Sequence, residues 1–335
     1  MRPGPCPAPG CFSGYARRYI KSLPMPDLAS TPPRLAVTFG SSFLGFATHF
    51  GFLRELLAAG RRPVAVAGSS AGAIVAGLYA AGLPTERLEA AFTRPDMCAH
   101  FREWRMPLRA LGTLLGWRGV PAVLEGRHLR RLLHELVGER RIEDCTTARL
   151  HLAVTNLRTS RVEVRDHGPL ADTMLASCAL PGLIAPRRVE GETLWDGGLG
   201  CSAPVEQWID DPDVTYIVVH SILHHIQVRA RERSDRYSFA GAMLAGHQLT
   251  ADELLHWKIE LARRAGKTVV AVETITPRPR IGVPITFWPP KPWPEHARDL
   301  MALGAASARR SIEASSEACE KTCCARDLAL HPPWV

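Results

Sequence analysis

The 335-residue sequence predicts an α/β fold in one domain: a mostly parallel sheet, helices on both faces, and a serine-bearing turn between one strand and its helix. Three observations carry that prediction. Leu35-Ala36-Val37-Thr38-Phe39 and Val64-Ala65-Val66-Ala67 are short apolar runs, each leading through a glycine-bearing turn into a helical stretch. Further strand-like runs alternate with helical ones, as in a parallel sheet covered on both faces. Finally, Gly68-x-Ser70-x-Gly72 lies between an apolar strand and the small-residue run 71–81, which is the setting of a nucleophile elbow. Such a turn holds its serine in a sparsely populated backbone conformation, so the residues two positions away must be small. The helix that follows aims its first N–H groups at the turn, where they favour developing negative charge.

Taken in order, residues 1–33 are rich in Pro, Gly and Ser and read as a flexible arm. Residues 35–39 form a buried strand and 40–45 a loop. Residues 47–59 form a helix, with Phe50, Leu53, Leu56 and Leu57 spaced for one face and Gly60 as its stop. The elbow strand and helix follow, and 85–93 continue helically. Residues 96–125 read as irregular, with Trp104, Met106, Trp117 and several arginines, in the natural place for a cap. An amphipathic helix spans 127–137, its His128 and His134 both expected at the surface. Residues 150–156 and 161–164 are strands joined by a polar turn. A short helix over 170–178 stops at Leu180-Pro181-Gly182. A core strand covers 214–219, a long helix 238–265 and a late strand 268–273. Pro294 opens a last helix running to about residue 320, ahead of a polar tail over 321–335. The domain is therefore placed at 34–320.

Composition bounds the partners. Net charge is +8 and hydrophobic content 46%, as in a globular protein with a basic surface. That charge suits a peripheral contact with an anionic membrane. No basic stripe interleaved with aromatics and no zinc-finger or RNA-binding signature is present, so nucleic acid is not an expected partner. The nine cysteines are scattered; Cys319, Cys323 and Cys324 lack the paired spacing of a zinc site. His220, His224 and His225 likewise do not make a metal signature, so neither metal nor cofactor is expected. Scattered cysteines, no apolar leader and no run near the ~20 residues of a spanning helix point to the cytoplasm.

A serine hydroxyl needs a base to take its proton. Histidine is one kind of candidate, with His220, His224, His225, His247 and His256 downstream and His220 at the end of a predicted strand. The other is Asp196 in Leu194-Trp195-Asp196-Gly197-Gly198-Leu199, where an acid leaves an apolar strand into two glycines that permit a tight turn.

Gly68-Ser69-Ser70-Ala71-Gly72-Ala73 together with Asp196-Gly197-Gly198 strongly resembles the patatin-like phospholipase family. The stretches 176–186 and 203–205 look like the segments before and after that family's D-G-G, and 35–57 is similar to its first strand, glycine loop and helix. The resemblance runs from about residue 34 to 220. It implies a single three-layer patatin-like domain that cleaves fatty acyl esters of lipids, including glycerophospholipids, without a cofactor. It also implies a serine–aspartate dyad: Ser70 attacks the acyl carbonyl, Asp196 accepts its proton, and water releases the acyl-enzyme. Gly68, Gly72, Gly197 and Gly198 support that motif. The family's loop G-G-G-x-[RK]-G supplies oxyanion N–H groups, which maps that role onto Gly40, Ser41 and Ser42. Here the sequence departs: Gly40-Ser41-Ser42-Phe43-Leu44-Gly45 has serines for two glycines, Leu44 for the basic residue, and one extra residue before His49-Phe50-Gly51. A serine keeps its N–H, so the hole survives unless the loop needs positive φ at Ser41 or Ser42. Two alternatives stand beside the dyad hydrolase: a Ser-His-Asp esterase using His220, and a weakened or inactive lipid-binding descendant.

Overall fold

The computed structural model describes residues 34–224, 239–277, 281–282, 286–287, 289 and 291–326. The expected arm over 1–33, the residues 327–335 of the expected tail, His225 and the basic run 229–236 lie outside the described residues. In chain order the elements are β1 (Leu35–Phe39), α1 (Phe46–Ala58), β2 (Ala65–Ser69), α2 (Ala71–Ala80), α3 (Thr85–Phe92), α4 (Met106–Leu114), β3 (Ala122–Leu124), α5 (Arg127–Val137), β4 (Arg149–Asn156) and β5 (Arg161–Arg165). Then come α6 (Leu170–Ser177), β6 (Gly182–Ile184), β7 (Arg187–Val189), β8 (Glu192–Asp196), β9 (Tyr216–His224), α7 (Phe239–Arg264), β10 (Thr268–Thr276), β11 (Ile281–Gly282), β12 (Thr286–Phe287) and α8 (Trp293–Arg326).

The main sheet has the order β10-β9-β1-β2-β4-β8-β7, with β5 also paired to β4. The five strands from β10 to β4 are mutually parallel, while β5, β8 and β7 add antiparallel pairings at one side. Strand alternation sorts side chains into two cores. Leu35, Val37, Phe39, Tyr216 and Val218 enter the larger core with α1, α2 and α8. Ala36, Ala65, Ala67, Ile217 and Val219 enter a second one with Trp208 and with Ile259 and Ala262 of α7. Helices thus cover both faces, the α/β layering that the strand–helix alternation predicts.

Small residues set the closest approaches. Every residue of α2 is buried, which is why its sequence is apolar all round rather than amphipathic. Where α1 crosses α8, a Cβ on Gly51 would lie 2.1 Å from the Met301 carbonyl oxygen, and one on Gly304 would lie 2.0 Å from that of Thr48. Only glycine lets these backbones meet.

Several elements differ from expectation. Residues 96–125 are not irregular: a 3-10 turn (Met97–Phe101), α4 and β3 occupy them, and β3 pairs in parallel with β6. β9 and β10 run on to His224 and Thr276, so His220 lies inside its strand instead of closing it. The last helix continues to Arg326. His128 is exposed, but His134 is half-buried, with its Nδ1 3.0 Å from Glu139.

Candidate active site

The elbow is built from contacts that exclude side chains. Ser70 ends β2 with φ 54° and ψ −122°, a strained conformation for a residue with a Cβ. A Cβ on Gly68 would sit 2.3 Å from the Gly72 carbonyl oxygen, and one on Gly72 would sit 2.3 Å from that of Phe39. Ser177, at the end of α6, ties the turn down. Its Oγ accepts the Ser70 N–H at 2.9 Å and donates to the Ala153 carbonyl at 2.6 Å.

β4 acts as the ruler that brings Ser70 and Asp196 together. Its partner β5 occupies one edge over residues 152–156. β2 and β8 must therefore share the other edge, end to end. Ser69 lies opposite Ala153, and Asp196 lies opposite the next residue, Val154. In consequence the Ser70 hydroxyl donates to Asp196 Oδ2 at 2.9 Å. The other carboxylate oxygen accepts the Gly198 N–H at 2.7 Å. Burial pushes the Asp196 pKa up to about 7, against the opposing pull of the Gly198 N–H and the Ser70 hydroxyl. Both glycines of the D-G-G turn are dictated by contact. A Cβ on Gly197 would come within 2.3 Å of the Ala153 oxygen, and one on Gly198 within 2.8 Å of Ser41 Cβ.

The glycine-loop positions divide. The Gly40 N–H donates to the His220 carbonyl at 2.9 Å and the Ser41 N–H to that of Ser202 at 2.6 Å. These two expected oxyanion donors are corrected: the loop extends the β1 edge here, and its backbone hydrogens are spent on carbonyls. Ser42 N–H makes no such bond among the described residues. Neither Ser41 nor Ser42 has positive φ, so replacing glycine there introduces no left-handed strain; within the loop it is Leu44 that turns left-handed, at φ 55°. Leu44 packs partly buried against the larger core.

Beneath the loop lies a chain of hydrogen bonds that sequence reasoning did not find. His49 Nε2 is 2.9 Å from the Gly40 carbonyl, His49 Nδ1 is 2.9 Å from His220 Nδ1, and His220 Nε2 is 2.9 Å from Thr274 Oγ1. A carbonyl only accepts, so His49 Nε2 must carry the proton, which makes His49 Nδ1 an acceptor. His220 then donates from Nδ1 and accepts the Thr274 hydroxyl at Nε2. The chain runs one way, from Thr274 to the Gly40 carbonyl. Both rings are fully buried, and burial lowers their pKa values, that of His49 to about 3. His220 also stacks on Phe52, with ring centroids 4.0 Å apart. With both nitrogens engaged, His220 is not available as the base for Ser70, which corrects the histidine alternative.

Beside α2, a small apolar void of about 20 Å³ is lined by Phe46, Ile74, Leu78, Phe92, Phe101 and Leu129 among others. Ile74 lies one helical turn beyond Ser70. Among the described residues no group of three His, Cys, Asp or Glu side chains is placed to hold a metal ion. The side chains of His224, Cys319, Cys323 and Cys324 are outside the described set.

Parallel α/β layering and a serine elbow bonded to a buried carboxylate define a nucleophile-elbow protein. The chain belongs to the patatin-like phospholipase family, whose model matches residues 38–209, more than half of its length. It is 32% identical over 173 residues to uncharacterized NTE family proteins of Mycobacterium tuberculosis and Mycobacterium bovis. Those matches cover 51% of this chain and 44% of each relative, so the chain spans under half of their length. Among solved structures it is similar to VipD from Legionella pneumophila (14% identity, 85% of this chain and 68% of that one, TM-score 0.45). The type III effector protein ExoU is another (14% identity, 84% and 53%, TM-score 0.37).

Two residues of the site were missed. Ser177 lies in the stretch 176–186 quoted for the family resemblance, yet nothing in one sequence distinguishes a bridging serine there from a core one. His49 was visible only as a histidine on the apolar face of a helix; its partner His220 is 171 residues away.

Proposed function

We propose that this protein is a serine acyl hydrolase that cleaves fatty acyl esters of membrane phospholipids or related lipids. The observation that carries the reading is the 2.9 Å bond between Ser70 Oγ and an Asp196 whose burial lifts its pKa to about 7. A carboxylate of that basicity is half ionised near neutral pH, so it can accept the serine proton as Oγ attacks the ester carbonyl. The proton then passes to the leaving alcohol, and Asp196 deprotonates the water that releases the acyl group. Charge on the tetrahedral oxygen would be met by Ser42 N–H and by the unpaired first N–H groups of α2. The proposed chemistry calls on no metal or cofactor. No helix among the described residues is long and apolar enough to cross a membrane; the proposed mode is peripheral contact with an anionic surface, for which the net charge of +8 is the support.

One observation favours a second reading, a lipid-binding descendant of weak activity: the N–H groups of Gly40 and Ser41 are committed to carbonyls. Hydrolysis of fatty acyl esters by the wild type and Ser70→Ala, across short and long chains, separates the two. Turnover that depends on Ser70 and rises with chain length supports the hydrolase. A folded wild type that turns over no ester and leaves Ser70 unlabelled by a fluorophosphonate supports the descendant.

A further inference from the structure

Helix α4 is amphipathic the wrong way round. Its exposed arc holds Pro107, Leu108, Leu111 and Leu114, with Leu115 just past its end. The arc that faces the protein carries Met106, Gly112, Thr113 and Arg109, the last turned inward to Glu125 at 3.3 Å. Trp104, Leu108, Leu111 and Leu115 follow at intervals of four, three and four, so they form one stripe. Trp104 is 89% exposed and Leu114 83%, with Trp117 half exposed beyond the helix. Singly exposed leucines are ordinary, but Leu108, Leu111, Leu114 and Leu115 exposed together on one short helix and its end mark an interaction surface.

What surrounds the face identifies its occupant. Trp104 stands at one end of the stripe, with the Arg105 guanidinium 5.5 Å over its ring, while past the other end half-exposed Trp117 packs its ring back toward Gly112 and exposed Arg118 adjoins it. Leucines between interfacial tryptophans, with arginines at the rim, suit a lipid bilayer, where indoles sit at headgroup level and guanidinium groups meet anionic phosphates. The net charge of +8 draws the whole molecule the same way. The chain that follows α4 is tied to the segment beside the proposed catalytic pair. β3 follows α4 and pairs with β6, and β6 follows the segment whose Ala179 carbonyl accepts the Asp196 N–H at 3.1 Å.

We infer that the outer face of α4, flanked by Trp104 and Trp117, is the surface by which the protein docks on anionic lipid bilayers. This deepens the proposed function by naming where the lipid surface is met, and it rests on that reading for its purpose. The helix lies in the interface with its leucines in the acyl region; it does not span.

The test is flotation of the full chain with vesicles of non-hydrolysable diether phosphatidylcholine, with and without diether phosphatidylglycerol. Wild type and Ser70→Ala bind alike, bind better with the anionic lipid, and lose part of that preference in high salt. Leu111→Glu/Leu114→Glu weakens binding at least about tenfold, since two side chains no longer enter hydrocarbon. Because both are exposed, thermal unfolding of the double variant stays at the wild-type midpoint, which separates lost docking from lost folding. Trp104→Ala is the milder companion and weakens binding less. Equal flotation of wild type and the double variant overturns the inference, as does absence of wild-type binding. It is also overturned if the double variant turns a dimer into a monomer without wild-type vesicle binding, which assigns the face to a second copy. Soluble short-chain ester hydrolysis by wild type against Ser70→Ala reads the enzymatic proposal separately, so either can fail alone.

Discussion

The Ser70–Asp196 and His49–His220 pairs are hydrogen-bonded at the same end of the sheet, where Phe39 pairs with Gly68 on one side and His220 on the other, and Asp196 and both histidines are buried. Desolvation disfavours the charged form in each. For the aspartate this raises the pKa to about 7, into the range where a proton moves readily near neutrality. For the histidines it removes the proton from reach, leaving His49 at about 3. An acid is made useful by burial that renders a histidine inert. The proposed function accordingly gives the chemistry at this sheet end to the carboxylate, while the imidazoles are bonded to the loop through His49.

The largest expected effect breaks the first pair. Ser70→Ala lowers ester turnover by about 10⁴-fold or more, because the nucleophile itself is gone; steady-state hydrolysis and loss of fluorophosphonate labelling check this. Asp196→Asn follows, with a loss of about 10³–10⁴-fold, as it keeps the shape and removes the base. In the wild type, kcat/KM rises through an acid limb with a midpoint near about 7, and this limb disappears from any residual activity of the Asn variant. Stability moves oppositely. Between its unfolded pKa and about 7, folded Asp196 holds a proton the unfolded chain has lost, so its contribution falls as pH rises through that window. Asp196→Asn is accordingly more stable than wild type above about pH 7, by at most roughly 1.4 kcal/mol for every pH interval of one across that window. Urea unfolding on both sides of neutrality checks the sign.

Breaking the second pair has a smaller effect on turnover and a different signature. His49→Leu leaves the Gly40 carbonyl and His220 Nδ1 without partners, at about 1–3 kcal/mol for each orphaned group. Turnover falls by about tenfold, through a displaced loop, with no change in the acid limb near about 7. His49→Gln, which can still donate to the Gly40 carbonyl, recovers part of both. The sign of the pH dependence also reverses. Depressed histidine pKa values mean that the unfolded chain binds protons the folded one refuses, so this contribution is intact above about 6.5 and is lost as pH falls. In the Leu variant that acid sensitivity shrinks, as urea titration near about pH 5 would reveal.

What was legible in the sequence follows the range of the forces involved. Gly68, Gly72, Gly197 and Gly198 were readable because each stands where a Cβ would strike backbone or a close neighbour, a constraint that leaves glycine behind. The strand–helix alternation was readable because β1, α1, β2 and α2 follow one another as short, fully buried apolar runs and helical stretches. The stretch 96–125 was not: three-residue strands carry no periodicity, and α4 turns its leucines outward and Arg109 inward, reversing the pattern that marks a core helix. Nor could composition show which loop residue is left-handed. Two lost glycines pointed suspicion at Ser41 and Ser42, while the backbone puts positive φ on Leu44.

That last difference yields the smallest and most directional prediction. If glycine had been lost at Ser42 at the expense of strain, Ser42→Gly would stabilise the protein. With φ negative there, the substitution only loosens the unfolded chain and costs about 0.4–1 kcal/mol. Leu44→Gly contains two opposed effects. It removes the left-handed strain of a side-chain-bearing residue, worth about 1–2 kcal/mol, but gives up unfolded-state restriction and the partial packing of Leu44 on the core. The net is expected within about 1 kcal/mol of zero and above that of Ser42→Gly in a paired thermal-unfolding comparison. A stabilising Ser42→Gly would mean that the loop takes up a left-handed turn two residues earlier, at Ser42, in solution.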